Sequence, residues 1–426
     1  MVRCMTTYNF DKITNRKGTN CLKYDFAVER GKPADVLPLW VADMDFPVSE
    51  EISKSLHAAV EHGIYGYTQP KDAYYNAVMN WMERNHNWKT KREWIVKTPG
   101  VVFALGAAVK AFTDPGDAIL IQNPVYYPFT NIIRDNDRKV VDNTLVYHSV
   151  TERTVVPVTT DDASEQQINN VGTVSPAYQI DFEDFERKIE QEHVKLFILC
   201  NPHNPVGRVW TVEELQKLGE ICLRHHVIVV SDEIHNDFVY PGYEHTVFAN
   251  VDPRFAEFTL TCTAPSKTFN LAGLQISNIF IPNENLRKAF KTEIDRTGYD
   301  EPNALGVVAC EAAYRAGEDW LDQLKAYLLK NLNFLRDFLQ EKLPQIHLVE
   351  PEGTYLVWLD CSELGITGKE LDQFIVDKAG LWLDGGSMFG PDGAAFQRVN
   401  IACPQATLEL ALNKLKAAVE GYGNHL

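Results

Sequence analysis

The sequence offers no run of about eighteen apolar residues, the length a membrane-spanning helix requires. Its first residues, MVRCMTTYNFDKITNRKG, hold no apolar stretch of the kind a signal peptide uses. Export and membrane insertion are therefore not expected. Cationic excess is missing too: 41 Lys and Arg stand against 58 Asp and Glu, a formal charge of −17. That balance argues against nucleic acid or an anionic membrane surface as the main partner. The eight cysteines, spread from Cys4 to Cys403, include no C-x-x-C pair and no histidine at ligand spacing. No metal site follows from them, and most, such as Cys200 and Cys262, read as small buried hydrophobes, reduced as in the cytoplasm. Internal repeats and low-complexity linkers are absent as well.

What is present is an ordinary soluble composition, 45% hydrophobic and 23% charged, in a chain of 426 residues. A chain of that length exceeds one compact core and divides into two or three domains. Residues 1–48 read as an arm that packs on other parts, 49–303 as a large domain, and 304–426, rich in amphipathic helix, as a smaller α+β domain. Residues 49–62 carry Ile52, Leu56 and Ala59 on one helical face and stop at Gly63. The aromatic turn Ile64-Tyr65-Gly66-Tyr67-Thr68 follows, then a helix over about 74–85. Turn packing is the plainest reading of Tyr65 and Tyr67. Residues 148–175, rich in Thr, Val, Asp and Gln, have no helical period and no core face, and read as a surface insertion.

Between these limits short apolar strands alternate with helices. Each strand ends in a polar or aromatic cluster: 118–121 before NPVYYP, 196–200 before NPHNPVG, 227–230 before SDEIH, and 258–262 before TAPSK. Thr211 and Glu214 form a capping box on the helix between the second and third. Such alternation predicts an α/β domain with a mostly parallel sheet, and ligands in open α/β sheets bind beyond the carboxyl ends of the strands. Tyr126, Asn204, Asp232 and Lys267 therefore converge. Lys267 is the centre of interest, because a primary amine desolvated behind a buried strand loses basicity and becomes a nucleophile. Thr98-Pro99-Gly100 opens a helix directly after a glycine, a geometry that suits phosphate and is also a common plain loop. Asp232 alone reads equally as a helix cap.

Taken together, these residues are the parts of a pyridoxal phosphate (PLP) site: an amine for a Schiff base, an acid for the pyridine nitrogen, a stacking ring and a donor for the ring oxygen. At PLWVADMDF, GYT, TPGVV, NPVYYPF, NPHNPVGRVW, SDEIHNDF, APSKTFNLAG, EGTYLVW and FQRVNIACP the chain resembles the aspartate aminotransferase superfamily. Within it, the chain resembles the carbon-sulfur β-lyases of the MalY/PatB (cystathionine β-lyase) and cystalysin type. The resemblance implies an aspartate-aminotransferase-like large domain of PLP fold type I, and a homodimer with active sites shared between subunits. It makes Lys267 the Schiff-base lysine, Asp232 the partner of the ring nitrogen, Asn204 the donor to the ring oxygen and Tyr126 the stacking residue. His235 joins the cofactor site, and Tyr127 lies near the substrate. Gly100, Val101, Val102 and Ser266 hold the phosphate, with Tyr67 reaching it from the other subunit. Arg398 grips the substrate α-carboxylate, with Ala42 beside it.

Two positions depart from the wider superfamily. Gln275 stands eight residues after Lys267, where many aminotransferases place an arginine, and His235 stands where a tyrosine is frequent. Both resemble the lyase branch. The expected reaction is α,β-elimination on cystathionine, cysteine or a related S-substituted cysteine, giving thiol, pyruvate and ammonia. The alternative is an aminotransferase acting on an L-amino acid with the same residues. A regulatory protein that only carries PLP would call for an appended DNA-binding module, and the short arm has no helix-turn-helix pattern.

Overall fold

The computed structural model describes residues 6–149, 155–156, 173–174 and 176–423. Its centre is a seven-stranded sheet built from β1 (Ile95–Thr98), β2 (Ala118–Ile121), β3 (Lys139–Asp142), β4 (Leu196–Cys200), β5 (Ile228–Asp232), β6 (Thr259–Thr263) and β7 (Ser277–Phe280), in the order β1-β7-β6-β5-β4-β2-β3. All strands are parallel except β7, which runs antiparallel between β6 and β1. A sheet of this kind is covered on both faces, and its strands show it: Leu120, Phe197, Leu199 and Val229 point into one core, while Ile119, Ile121, Ile198, Val230 and Leu260 point into another. Helices Phe182–Glu192 and Val212–Arg224 close the first core, through Phe185, Leu215 and Leu218. Helices Val101–Phe112, Pro128–Asp135 and Glu284–Arg296 close the second.

A four-stranded antiparallel sheet follows, formed by β8 (His347–Val349), β9 (Leu356–Asp360), β10 (Asp384–Gly385) and β11 (Phe396–Asn400) in the order β8-β9-β11-β10. The 25-residue helix Glu318–Lys342 runs beside it and buries Trp320, Leu324, Leu328, Leu332 and Leu335 in a core shared by the two halves of the chain. The first residues belong to this core too. Phe10 packs edge-on against Phe46 at 5.1 Å and Trp320 at 5.9 Å, and Leu37–Pro38 pairs in parallel with Leu381–Trp382.

Local signals are realised where they were strongest. Ser49 caps helix Glu50–His62 through the Ile52 N–H, and Gly63 ends it in the left-handed region at φ 74°. Thr211 and Glu214 make both bonds of the capping box. Most of the expected insertion at 148–175 lies outside the described residues; within it, Val155–Val156 pairs antiparallel with Thr173–Val174. Among the described residues seven cysteines are free thiols, six of them buried. Among the described residues no helix is long and apolar enough to cross a membrane.

Candidate active site

The register of three neighbouring strands sets the site. Asp232 is the last residue of β5 and lies level with Cys200 on β4 and Cys262 on β6. The chain leaving β4 turns through Asn204, and the chain leaving β6 turns into the one-turn helix Pro265–Thr268, which carries Lys267. Proline at the first helical position costs no hydrogen bond there and starts the turn at once. Asn204, Asp232 and Lys267 therefore meet at the carboxyl end of the sheet, in a cavity of about 180 Å³ that Tyr126, His235, Ser266, Gly100, Val101, Val102 and Ala42 also line.

Lys267 is held from behind. The adjacent Thr268 hydroxyl donates to Asp237 Oδ2 at 2.6 Å, and Asp237 Oδ1 receives the Trp81 indole N–H at 3.0 Å and the His86 Nε2 at 2.9 Å. In front, enclosure of the amine pulls its pKa down to about 8; Asp43 and Asp232 oppose this and Arg398 adds to it. Near neutral pH an appreciable fraction of the amine is then uncharged and nucleophilic. Asp232 moves the other way. Burial pushes its carboxyl up to about 7, against the Ile234 N–H at 3.2 Å and the charge of Lys267. A carboxyl so short of partners is satisfied by a cationic N–H, which a protonated pyridine nitrogen provides.

Arg398 on β11 sits behind Asn204. One guanidinium nitrogen donates to Asn204 Oδ1 at 2.8 Å, and another pairs with Asp384, the residue opposite it in the β10–β11 register. With its oxygen engaged, Asn204 has only its Nδ2 hydrogens to offer elsewhere. The Arg398 Nε is buried without a partner, and so is His235 Nδ1. Burial, with Lys267 and Arg398 nearby, pushes the His235 imidazole well below its usual range, so it is neutral. Burial first, then Tyr127, raises the Tyr126 hydroxyl, which stays a phenol.

The anion end is made by backbone. Helix Val101–Phe112 follows Gly100, which supplies no side-chain cap, so the N–H groups of its first turn remain available at the positive end of the helix. Ser266 faces the same cavity. These groups fit PLP: amine, buried acid, uncapped helix start and an amide aimed by an arginine match its aldehyde, ring nitrogen, phosphate and ring oxygen.

Three expected residues stand apart from this cavity: Arg398 reaches it only through Asn204. Tyr67 is 96% exposed on the loop after helix Glu50–His62, along with Ile64 and Tyr65. Tyr127 lines an adjoining opening instead. The sequence reading also passed over several contributors. Asp384, which fixes Arg398, lies on a two-residue strand with no pattern of its own. Tyr355 donates to the Ala42 carbonyl at 2.7 Å and sets that stretch of the arm against the cavity. Asn270 ties the lysine loop to the arm through Met44 and Phe46. Gln275, singled out in the sequence for its place eight residues after Lys267, lines the cavity with φ 50°.

A family model described as aminotransferase class I and II matches residues 34–415. The chain belongs to that family. It is 44% identical over 411 residues to the cystathionine beta-lyase PatB of Bacillus subtilis, covering 96% of this chain and 100% of PatB. The PLP-containing crystal structure of cystalysin from Treponema denticola superposes with a TM-score of 0.89 at 36% identity, over 98% of this chain and 100% of cystalysin. A PLP-bound C-S lyase from Staphylococcus hominis does so with a TM-score of 0.85 at 34% identity, over 97% and 98% of the two chains. The aspartate-aminotransferase-like fold expected from the sequence is the fold observed.

Proposed function

We propose that this protein is a PLP-dependent carbon-sulfur lyase that cleaves the Cβ–S bond of cystathionine, cysteine or related S-substituted cysteines, releasing thiol, pyruvate and ammonia. The observation that carries the reading is the end-to-end similarity to a cystathionine beta-lyase, 44% identical over 96% of this chain. When bound, PLP supplies the electron sink for the pair left at Cα. Arg398 receives the substrate α-carboxylate, with Asp384 and Asn204 fixing the plane of its fork. That grip orients the Cα–H bond, and the Lys267 amine takes the proton from Cα. With PLP bound, Asp232 would favour a proton on the ring nitrogen and the Asn204 amide would donate to the ring oxygen. Tyr126, Ala42 and Ile276 line the cavity and would help to exclude water from it.

The same reading assigns the phosphate to Gly100, Val101, Val102 and Ser266, completed in a cytoplasmic homodimer by Tyr67 of the partner subunit. The exposure of Ile64, Tyr65 and Tyr67 on one loop supports it. Domain limits near residues 48 and 303 belong to the same proposal, since the arm pairs with the small-domain strand Leu381–Trp382. The test is a panel of S-substituted cysteines assayed for pyruvate, with Lys267→Ala as control. Pyruvate from the native protein and none from the variant is expected; turnover retained in the variant overturns the assignment.

A further inference from the structure

An opening of about 380 Å³ adjoins the inner cavity. Tyr126 lines the inner space and Tyr127 the outer one, so the two meet at this pair of rings, whose centroids are 5.5 Å apart. The outer walls come from the arm, with Arg30, Lys32 and Trp40, and from the small domain, with Trp382, Asp384 and Asp372. Trp40 stacks on Trp382 at 4.2 Å and 11°, and the Arg30 guanidinium lies over Trp40 at 5.3 Å. This packing holds the arginine in place while leaving its donors unspent.

The charges around the chamber are unequal in how they are used. Asp384 is committed to Arg398. Arg30 and Lys32 have no carboxylate partner among the described residues. Asp372 accepts from the Gln397 amide at 2.7 Å but has no cation against it. Its carboxylate lies where a side chain at position 385 would stand: a Cβ on Gly385 would be 2.1 Å from Oδ1, so glycine makes the room. Two unpaired cations thus share an aromatic-lined chamber with one unpaired acid, next to the arginine that orients the substrate.

We propose that this chamber is a subsite for the leaving-thiol end of the substrate, selecting thiols that are themselves amino acids. The carboxylate of such a thiol pairs with Arg30 and Lys32, and its ammonium with Asp372. The homocysteine half of cystathionine has that chemistry; hydrogen sulfide and methanethiol do not. The inference rests on the elimination reading, and it adds the reason for a preference within it.

The test compares kcat/KM of the PLP-loaded enzyme for cystathionine and for S-methylcysteine. In Arg30→Ala/Lys32→Ala the ratio of the two falls roughly tenfold, mainly through KM for cystathionine, as two charge-assisted contacts are lost. Asp372→Asn lowers the ratio by about threefold. Raising the ionic strength lowers the ratio in the native enzyme and leaves it flat in the double variant, because exposed charge pairs are screened. An unchanged ratio overturns the subsite, as does an equal loss on both substrates, which makes Arg30 a prop for Trp40. Native enzyme that yields no pyruvate from either substrate overturns the elimination reading itself, and is seen before any variant is made.

Discussion

Asp232 and Asp237 lie five residues apart on one segment, and both are buried, yet they are opposite kinds of acid. Asp237 is surrounded by donors: burial alone would raise its pKa, but His86, Thr268 and Trp81 together hold it below the ordinary carboxylate range. Asp232 has one backbone N–H and is pushed up to about 7. The arginines repeat the contrast. Arg208 is stacked on Trp210 at 4.6 Å and bonded to Glu214, Glu352 and the Tyr178 carbonyl, whereas Arg398 keeps a buried Nε with nothing to bond. Buried polar groups are mostly satisfied, so an acid and an arginine left short at the cavity are groups to which a ligand can supply the missing half. Asp237 belongs to the scaffold behind Lys267; Asp232 and Arg398 belong to its front.

Substitutions on either side of that division put it to work. Lys267→Ala removes the amine itself and should lower pyruvate release by at least about 10³-fold, measured at saturating cofactor and substrate. Asp232→Asn leaves the shape but removes the charge that favours a protonated ring nitrogen, and should cost roughly 10²-fold in kcat. Arg398→Lys keeps the charge and loses the fork, so KM should rise by about tenfold or more, with a smaller change in kcat. Asp237→Asn, on the scaffold side, should cost about 1–3 kcal/mol of stability in a denaturant titration and change turnover less than Asp232→Asn does. If Asp237→Asn proves the more damaging to turnover, the division between scaffold and site is wrong.

The lowered pKa of Lys267 gives a pH test on cofactor-free protein. The neutral amine attacks the cofactor aldehyde, so the rate of PLP uptake should climb with pH up to about 8 and level off above it. A rate still climbing toward 10 would mean that the amine is not enclosed. In Asp232→Asn an opposing charge is gone, and the plateau should shift to slightly lower pH.

Much of this arrangement was legible before any coordinates. Strands β2, β4, β5 and β6 are short apolar runs bounded by Pro and Gly turns, and a parallel sheet delivers whatever follows such runs to one edge. The Thr211–Glu214 capping box and the Gly63 stop are local and were read locally. Other parts escaped for physical reasons. Strand β7 carries Ser277 and Asn278, so it shows no apolar run, and it is held by pairing on both sides. Asp384 matters only because the β10–β11 register puts it opposite Arg398, a relation between distant residues that no local pattern encodes. Tyr355 and Asn270 likewise act on arm carbonyls some three hundred and two hundred residues away.

Lyase and aminotransferase part at the step after the proton leaves Cα. The most direct measurement is incubation of the PLP-loaded protein with cystathionine, first without and then with an added 2-oxo acid, following pyruvate, free thiol and amino transfer together. Pyruvate and thiol in equal amounts, formed without the 2-oxo acid, is the predicted result. Absence of both, with the amino group appearing on the 2-oxo acid, would contradict it and make the protein an aminotransferase.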